Sequence, residues 1–362
     1  MFTDDGPLYR SLDLSKQEIR VVPEAAFFHL KVQKIILDFN PINDRLNVNA
    51  FAGVESVLEM LSLASCGLPY LRQELLIGMK KLRYVYLWDN HIKEIPYGLF
   101  LGTPYLEELY LWGNNIEHLD ESMFGGLSNL RRLDLDKNKI NEIRNNTFKR
   151  LHSLEVLHLG ENRIFSLYKH TFRHLSNLKV LNLDRNRLTY VFPNAFQGLH
   201  KLLSLGLQHN EISFITDGTF KDLRNLKTLW LQNNQIDLLW GRTFMGLDSL
   251  QKLHMAGNKI KNLPEGVFHH STKLKHVILD RNELQTLKKC IFNRRTTPKL
   301  LSIVGNPMQC DCRLTWILDL SDRGTLIWGS CRASAASNLM GISNPINYEA
   351  ANCPFSSSEC LT

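Results

Sequence analysis

The chain has 362 residues, 44% of them hydrophobic and 22% charged, which is apolar enough for a large core and too apolar for a disordered segment. Its formal net charge of +7, from 43 basic and 36 acidic residues, is mild at this length. It argues against a nucleic-acid binder and leaves at most a weak contact with acidic partners such as glycosaminoglycans. No apolar run approaches the roughly 18 residues of a bilayer span, so no membrane span is expected in this segment.

The opening MFTDDGPLYRSLDLS is polar. It has neither the basic start nor the apolar stretch of a secretion signal, and Leu12 and Leu14 already fit the pattern that follows. Residues 1–8 are therefore read as a truncated lead-in, with the signal peptide missing upstream.

From Tyr9 onward the chain repeats. The pattern L-x-x-L-x-L-x-x-N starts at Tyr9, Val32, Leu58, Leu82, Leu106, Leu130, Leu154, Leu178, Leu202, Leu226, Leu250 and Leu274, and from Leu82 the spacing is 24 without exception. Residues 9–297 thus hold about 12 units. The alternation in L-x-L predicts a short strand, and each unit then carries further apolar residues, such as Ile140, Ile143, Phe148 and Leu151. One such unit encloses nothing, so neighbours must stack and share a core. The expected fold is an α/β solenoid: a curved horseshoe with a parallel, concave β-sheet. The recurring asparagines, from Asn90 to Asn282, and phenylalanines, from Phe100 to Phe292, are read as scaffold columns. Cys66 stands at an asparagine place and reads as a buried structural thiol.

The third, fifth and seventh residues of each unit should point out of the sheet's concave face. This places Tyr84, Tyr86 and Trp88 beside Tyr110 and Trp112, followed by Asp134, Asp136 and His158. Such aromatics can stack across strands, which stabilises a sheet by about 0.2 to 1 kcal/mol per pair. Their gathering in two adjacent units favours a protein-binding patch with the acidic residues and His158 as its polar rim. Asn145 opens an N-x-T sequon on a return segment and is a candidate glycan site. His158, His254 and His276 are spaced over several units and read as surface contacts. The search for a phosphate loop, zinc-protease, serine-hydrolase or dinucleotide motif finds none, so no catalytic residue, cofactor or metal is expected.

Residues 298–362 hold a last strand and a change of character. Leu314, Ile317 and Leu318 sit at helical spacing and can lay an apolar stripe over the open end of the stack. Five of the seven cysteines lie between Cys310 and Cys360, which predicts a local staple. A zinc site is the rival reading, although 18 and 21 intervening residues between the later cysteines are poor for the usual knuckles.

Taken together these residues resemble the leucine-rich-repeat superfamily, and the period is similar to its "typical" extracellular subclass. The NPMQCDCRLTW stretch, with Asn306, Pro307, Cys310, Cys312, Leu314 and Trp316, resembles the cysteine-rich C-terminal flanking cap of that subclass. The resemblance implies disulfides Cys310 to Cys331 and Cys312 to Cys353, and with them an oxidising, extracellular location. Family members of this kind usually begin with a cysteine-bearing N-terminal cap, whereas here no cysteine precedes Cys66. The implied function is non-catalytic binding of a protein ligand or co-receptor by a receptor or adhesion ectodomain, similar to Toll-like and neuronal leucine-rich-repeat receptors. The alternative is a secreted ligand or matrix protein of the Slit-like or acid-labile-subunit-like kind.

Overall fold

The computed structural model describes residues 9–293, 296–332 and 339–342. Short strands of two or three residues recur once per repeat and form one sheet in chain order, with fourteen strands among the described residues. Thirteen of them are the strands that the repeat predicts, from Leu12–Asp13 to Leu300–Ser302. The fourteenth, Leu326–Trp328, comes from the cap and pairs in parallel with Leu300–Ser302. The pairings keep the repeat in register, with Leu109 opposite Leu133 and Leu133 opposite Leu157, all three buried. The alternation of the strand sends these leucines inward and their neighbours to the other face.

By internal packing the chain divides into two compact units. The first is Met1–Ile164 with Thr171–Leu181, and the second is Phe165–His170 with Asn182–Thr362. Each is a stack of coils held by the same buried leucines, asparagines and phenylalanines. In the first unit the Phe124, Phe148 and Phe172 rings follow one another at 6.0 and 6.1 Å, and in the second Phe196 to Phe292 continue at 5.3 to 6.4 Å. All are buried. The return segments are mostly turns. Their helical pieces are single 3-10 turns, Gln73–Leu76 and Glu121–Phe124, so the solenoid has less helix than an α/β description implies.

The asparagine column works as a backbone clamp. The Asn114 amide donates to the Leu87 and Leu111 carbonyls at 2.9 and 3.0 Å, while its Oδ1 accepts the Ile92 N–H at 3.1 Å. Asn138, Asn210, Asn234, Asn258 and Asn282 repeat the donor pattern to two coils. Buried backbone groups where the chain leaves the sheet are thereby paired. Just before each asparagine, one residue takes a left-handed conformation, as at Phe39 (φ 58°), Asp89 (55°), Lys137 (54°) and Arg281 (51°). Side chains pay a steric penalty there, and the clamp holds the turn. Where the place is glycine, as at Gly113 (φ 72°), a Cβ would stand 3.3 Å from the Asp89 backbone.

Cys66 fills its asparagine place as expected, with its thiol 3.2 Å from the Leu37 carbonyl, and it is fully buried and free. Burial pushes this thiol up to about 12. Cys66 in the folded protein should therefore resist iodoacetamide at neutral pH and label only after denaturation. Mass-spectrometric detection of rapid labelling at Cys66 in the native state would contradict this packing.

In the cap, a 3-10 turn Cys312–Leu314 leads into the helix Trp316–Asp322. The buried stripe is Leu314, Ile317 and Leu320, while Leu318 is only half-buried, because the 3-10 turn rotates the helix relative to a single continuous 3.6-residue spacing. Cys310 and Cys331 are bonded, with Cα atoms 5.1 Å apart. Cys290 and Cys312 are disulfide-bonded as well, and Cys353, the partner expected for Cys312, lies outside the described residues, as do residues 1–8. No helix among the described residues is long and apolar enough to cross a membrane.

Candidate functional site

The expected sheet-face residues all lie in the first unit, and strand register decides which of them meet. Tyr86 stands opposite Tyr110, Tyr110 opposite Asp134, and Asp134 opposite His158. Tyr84 begins a parallel row through Glu108 and Arg132. Two places beyond the fifth-position row come Trp88, Trp112 and Asp136. The structure thus brings the aromatics into one cluster and the two aspartates and His158 into another beside it.

The aromatics are half-buried by one another. Trp88 and Trp112 stack with centroids 5.1 Å apart and planes 3° apart, and Tyr86 meets Tyr110 edge-on at 5.0 Å. Cations sit over the rings. The Arg132 guanidinium lies 5.3 Å from the Tyr110 centroid and the Lys137 ammonium 5.6 Å from that of Trp112. The Tyr110 hydroxyl donates to Glu108 at 3.0 Å. Burial, reinforced by that bond, pushes the phenol up to about 12, so it remains a donor at any physiological pH.

One member escaped the odd-position rule. Phe39 meets Trp88 edge-on at 5.6 Å and is 47% exposed, with the Lys16 ammonium 5.3 Å above its ring. Phe39, Lys16 and Lys137 all occupy the eighth place, whose positive φ swings the side chain back over the sheet. Between Phe39 and Trp88 the intervening coil has Ala64 at its seventh place, and a methyl leaves the gap that the ring spans. The signal was the residue before each clamp asparagine.

The second cluster is polar and partly dry. Asp134 is 8% exposed, and burial together with neighbouring Asp136 raises its carboxyl above the ordinary range. Asp136 accepts the Gly160 N–H at 2.5 Å and lies 3.4 Å from His158 Nδ1. The Arg132 guanidinium stands 3.9 Å from Asp134. One ligand atom each from Asp134, Asp136 and His158 fall within 4.8 Å of one another, a carboxylate and imidazole set that suits a divalent first-row metal. This convergence was not expected from the repeat spacing. His254 packs edge-on against Trp230 at 5.6 Å and His276 lies a coil further, each with its imidazole held below its ordinary range, chiefly by burial.

Asn145 is exposed, and Thr147 of its sequon is buried at 1%.

Comparison with known families gives matches to two repeat models. The leucine rich repeat model covers residues 104–164, 152–212 and 202–260, and the BspA type leucine rich repeat region covers residues 9–131. No curated protein matches the sequence significantly. Among solved structures, the chain superimposes on Toll from the Drosophila Toll–Spatzle complex with a TM-score of 0.71 at 18% identity, covering 92% of this chain and 54% of that one. A chain of the octameric complex of Latrophilin 3, Unc5D and FLRT2, whose leucine-rich-repeat component is FLRT2, gives 0.70 at 23% identity, with coverage of 93% and 95%. TLR13 from its complex with ssRNA13 gives 0.64 at 23% identity, with coverage of 95% and 57%. The chain therefore spans just over half the length of the Toll and TLR13 chains. At these identities the likeness is one of fold.

Proposed function

Because the chain belongs to the leucine-rich-repeat proteins, a fold that typically serves as a protein-binding scaffold, we propose that it is a non-catalytic extracellular binding module. On this reading it is a receptor or adhesion ectodomain that recognises a protein through its sheet face. The observation that carries the reading is the run Phe39, Trp88 and Trp112, flanked by Lys16 and Lys137, in the same unit as Tyr86 and Tyr110. Tyrosine and tryptophan dominate binding hot spots because they cover large area with little entropy loss. Asp134, Asp136 and His158 form the polar rim beside them. The disulfide cap supports an oxidising compartment, and a glycan on exposed Asn145 would suit it.

The test begins with a binding partner captured on the purified protein from cell-surface and secreted proteomes. Trp88→Ala and Trp112→Ala should then each weaken that complex by about 2 kcal/mol or more, measured by surface plasmon resonance, while Asn145→Gln leaves it unchanged. The stacked pair itself contributes only about 0.2 to 1 kcal/mol to the sheet, so both variants should fold. Unchanged affinity with intact circular dichroism in both would remove the sheet face as the binding site.

A further inference from the structure

Aspartate recurs at the seventh place of these coils for a reason that the backbone supplies. Asp38 accepts the Ala64 N–H at 2.9 Å and the Ser62 hydroxyl at 2.5 Å. In the second unit Asp280 likewise accepts the Val304 N–H at 2.9 Å and the Ser302 hydroxyl at 2.6 Å. Each carboxylate reaches one coil ahead, to the seventh-place N–H and the fifth-place side chain, and one of its oxygens takes both bonds. The fifth place of its own coil is apolar, Ile36 in one case and Ile278 in the other. A lone carboxylate at this place is therefore a cap on the next coil, satisfied by neutral donors.

Asp136 holds the same place and accepts the matching Gly160 N–H at 2.5 Å, but its surroundings differ twice. The fifth place ahead carries His158 where the others have serine, with Nδ1 3.4 Å from the Asp136 Oδ2. The fifth place of its own coil carries a second carboxylate, Asp134, which is only 8% exposed. Capping the next coil requires neither change. The Asp134 Oδ1 accepts the Asp136 N–H at 3.2 Å, whereas its Oδ2 accepts no hydrogen bond among the described residues and stands 3.9 Å from the Arg132 guanidinium.

Two carboxylates side by side and partly out of water repel each other and lose hydration, a cost that a shared cation offsets. The basic side chains nearby meet it poorly. Arg132 makes no hydrogen bond to either aspartate and lies over the Tyr110 ring, while Lys137 lies over Trp112. One donor atom each from Asp134, Asp136 and His158 fall within 4.8 Å of one another. Metal–donor bonds of about 2.0 to 2.2 Å place neighbouring donors on one ion roughly 3 to 3.5 Å apart, a separation that Asp136 and His158 already have at 3.4 Å. The imidazole argues against the all-oxygen shells of calcium and magnesium. Two carboxylates with no thiolate favour a hard first-row ion, and together they balance its double charge. We propose that Asp134, Asp136 and His158 form a binding site for one divalent cation of the Mn²⁺ kind, with water completing its shell on the open side. Such an ion ties the coil from Leu130 to the coil from Leu154. This goes beyond the polar-rim role of the same residues and needs no protein ligand, so the ion site and the sheet-face reading fail separately.

Titration of the full chain with manganese chloride, followed by the electron paramagnetic resonance of free Mn²⁺, tests it. The wild type should remove one equivalent from the free-ion signal. Asp134→Asn and His158→Ala should each raise the dissociation constant at least about tenfold, since even groups that only orient metal ligands change affinity by about 10 to 100-fold. Asp280→Asn alters a seventh-place aspartate that caps the next coil without the other two donors, and it should bind manganese as the wild type does. Because the ion binds the folded chain, it should also raise the thermal midpoint of the wild type and leave that of Asp134→Asn unmoved. Circular dichroism checks that each variant folds, and Asp134→Asn keeps the acceptor for the Asp136 N–H, so it stays informative if His158→Ala disturbs the sheet. A wild type that leaves the free-ion signal undiminished would overturn the proposal. So would Asp134→Asn and His158→Ala variants that fold and bind manganese as tightly as the wild type, or an Asp280→Asn variant that loses the ion.

Discussion

Replacing Asn138 by leucine should destabilise the first unit by about 3 to 5 kcal/mol, because a buried polar group left unpaired costs roughly 1 to 3 kcal/mol and this side chain serves several. Its amide donates to the carbonyls of Leu111 at 2.9 Å and Leu135 at 3.1 Å, and its Oδ1 accepts the Ile116 N–H at 3.0 Å. Leucine nearly matches the volume and removes every bond. The left-handed turn at Lys137 loses its support at the same time. Urea denaturation followed by circular dichroism reads the effect, with Asn145→Gln at an exposed position as the control expected near zero. A loss under about 1 kcal/mol for Asn138→Leu would mean that water or backbone rearrangement satisfies these groups, and the clamp account would fall. Substitution by cysteine, the residue that already fills this place at Cys66, should cost less than leucine because a thiol retains a weak donor.

Removing the cap disulfide with paired Cys310→Ser and Cys331→Ser substitutions is expected to cost about 3 kcal/mol, the chain-entropy value for a loop of this length. The two residues are 21 apart in sequence and almost wholly buried. The bond closes a loop that contains Leu326–Trp328, the strand pairing with Leu300–Ser302. In a stack whose coils contact only their neighbours, the loss should appear first as local opening of the terminal coils. Hydrogen exchange should therefore rise around Leu300 to Ile303 well before the Asn138 region responds. Peptide mapping without reductant tests the bond directly. Free thiols at both positions in protein from an oxidising host, or stoichiometric zinc, would overturn both the bond and the extracellular reading.

Much of the architecture is legible in the amino-acid sequence because a repeat states its local rule many times. A single L-x-L is a weak strand signal, but its recurrence every 24 residues leaves one way to bury all the leucines, by stacking them in register. The asparagine and phenylalanine columns follow from the same recurrence. So does the meeting of Tyr86 with Tyr110 and of Trp88 with Trp112, since residues one period apart become neighbours about 4.8 Å apart across the strands.

What the period could not decide lies outside its own columns. Phe39, Lys16 and Lys137 reach the sheet face only because a positive φ at the eighth place redirects the side chain, and backbone conformation is not written in hydrophobic spacing. The cap strand Leu326–Trp328 has no place in the repeat, yet the open edge of Leu300–Ser302 offers unpaired backbone groups that a following strand satisfies. Asp134 and His158 are one period apart and meet by register, but Asp136 joins them from the seventh place, on the diagonal between two coils. The period, the core columns and the sheet follow from recurrence alone. Which of the remaining side chains share a surface turns on dihedral angles and on the size of the neighbour across the gap, and these emerge only when the coils are stacked.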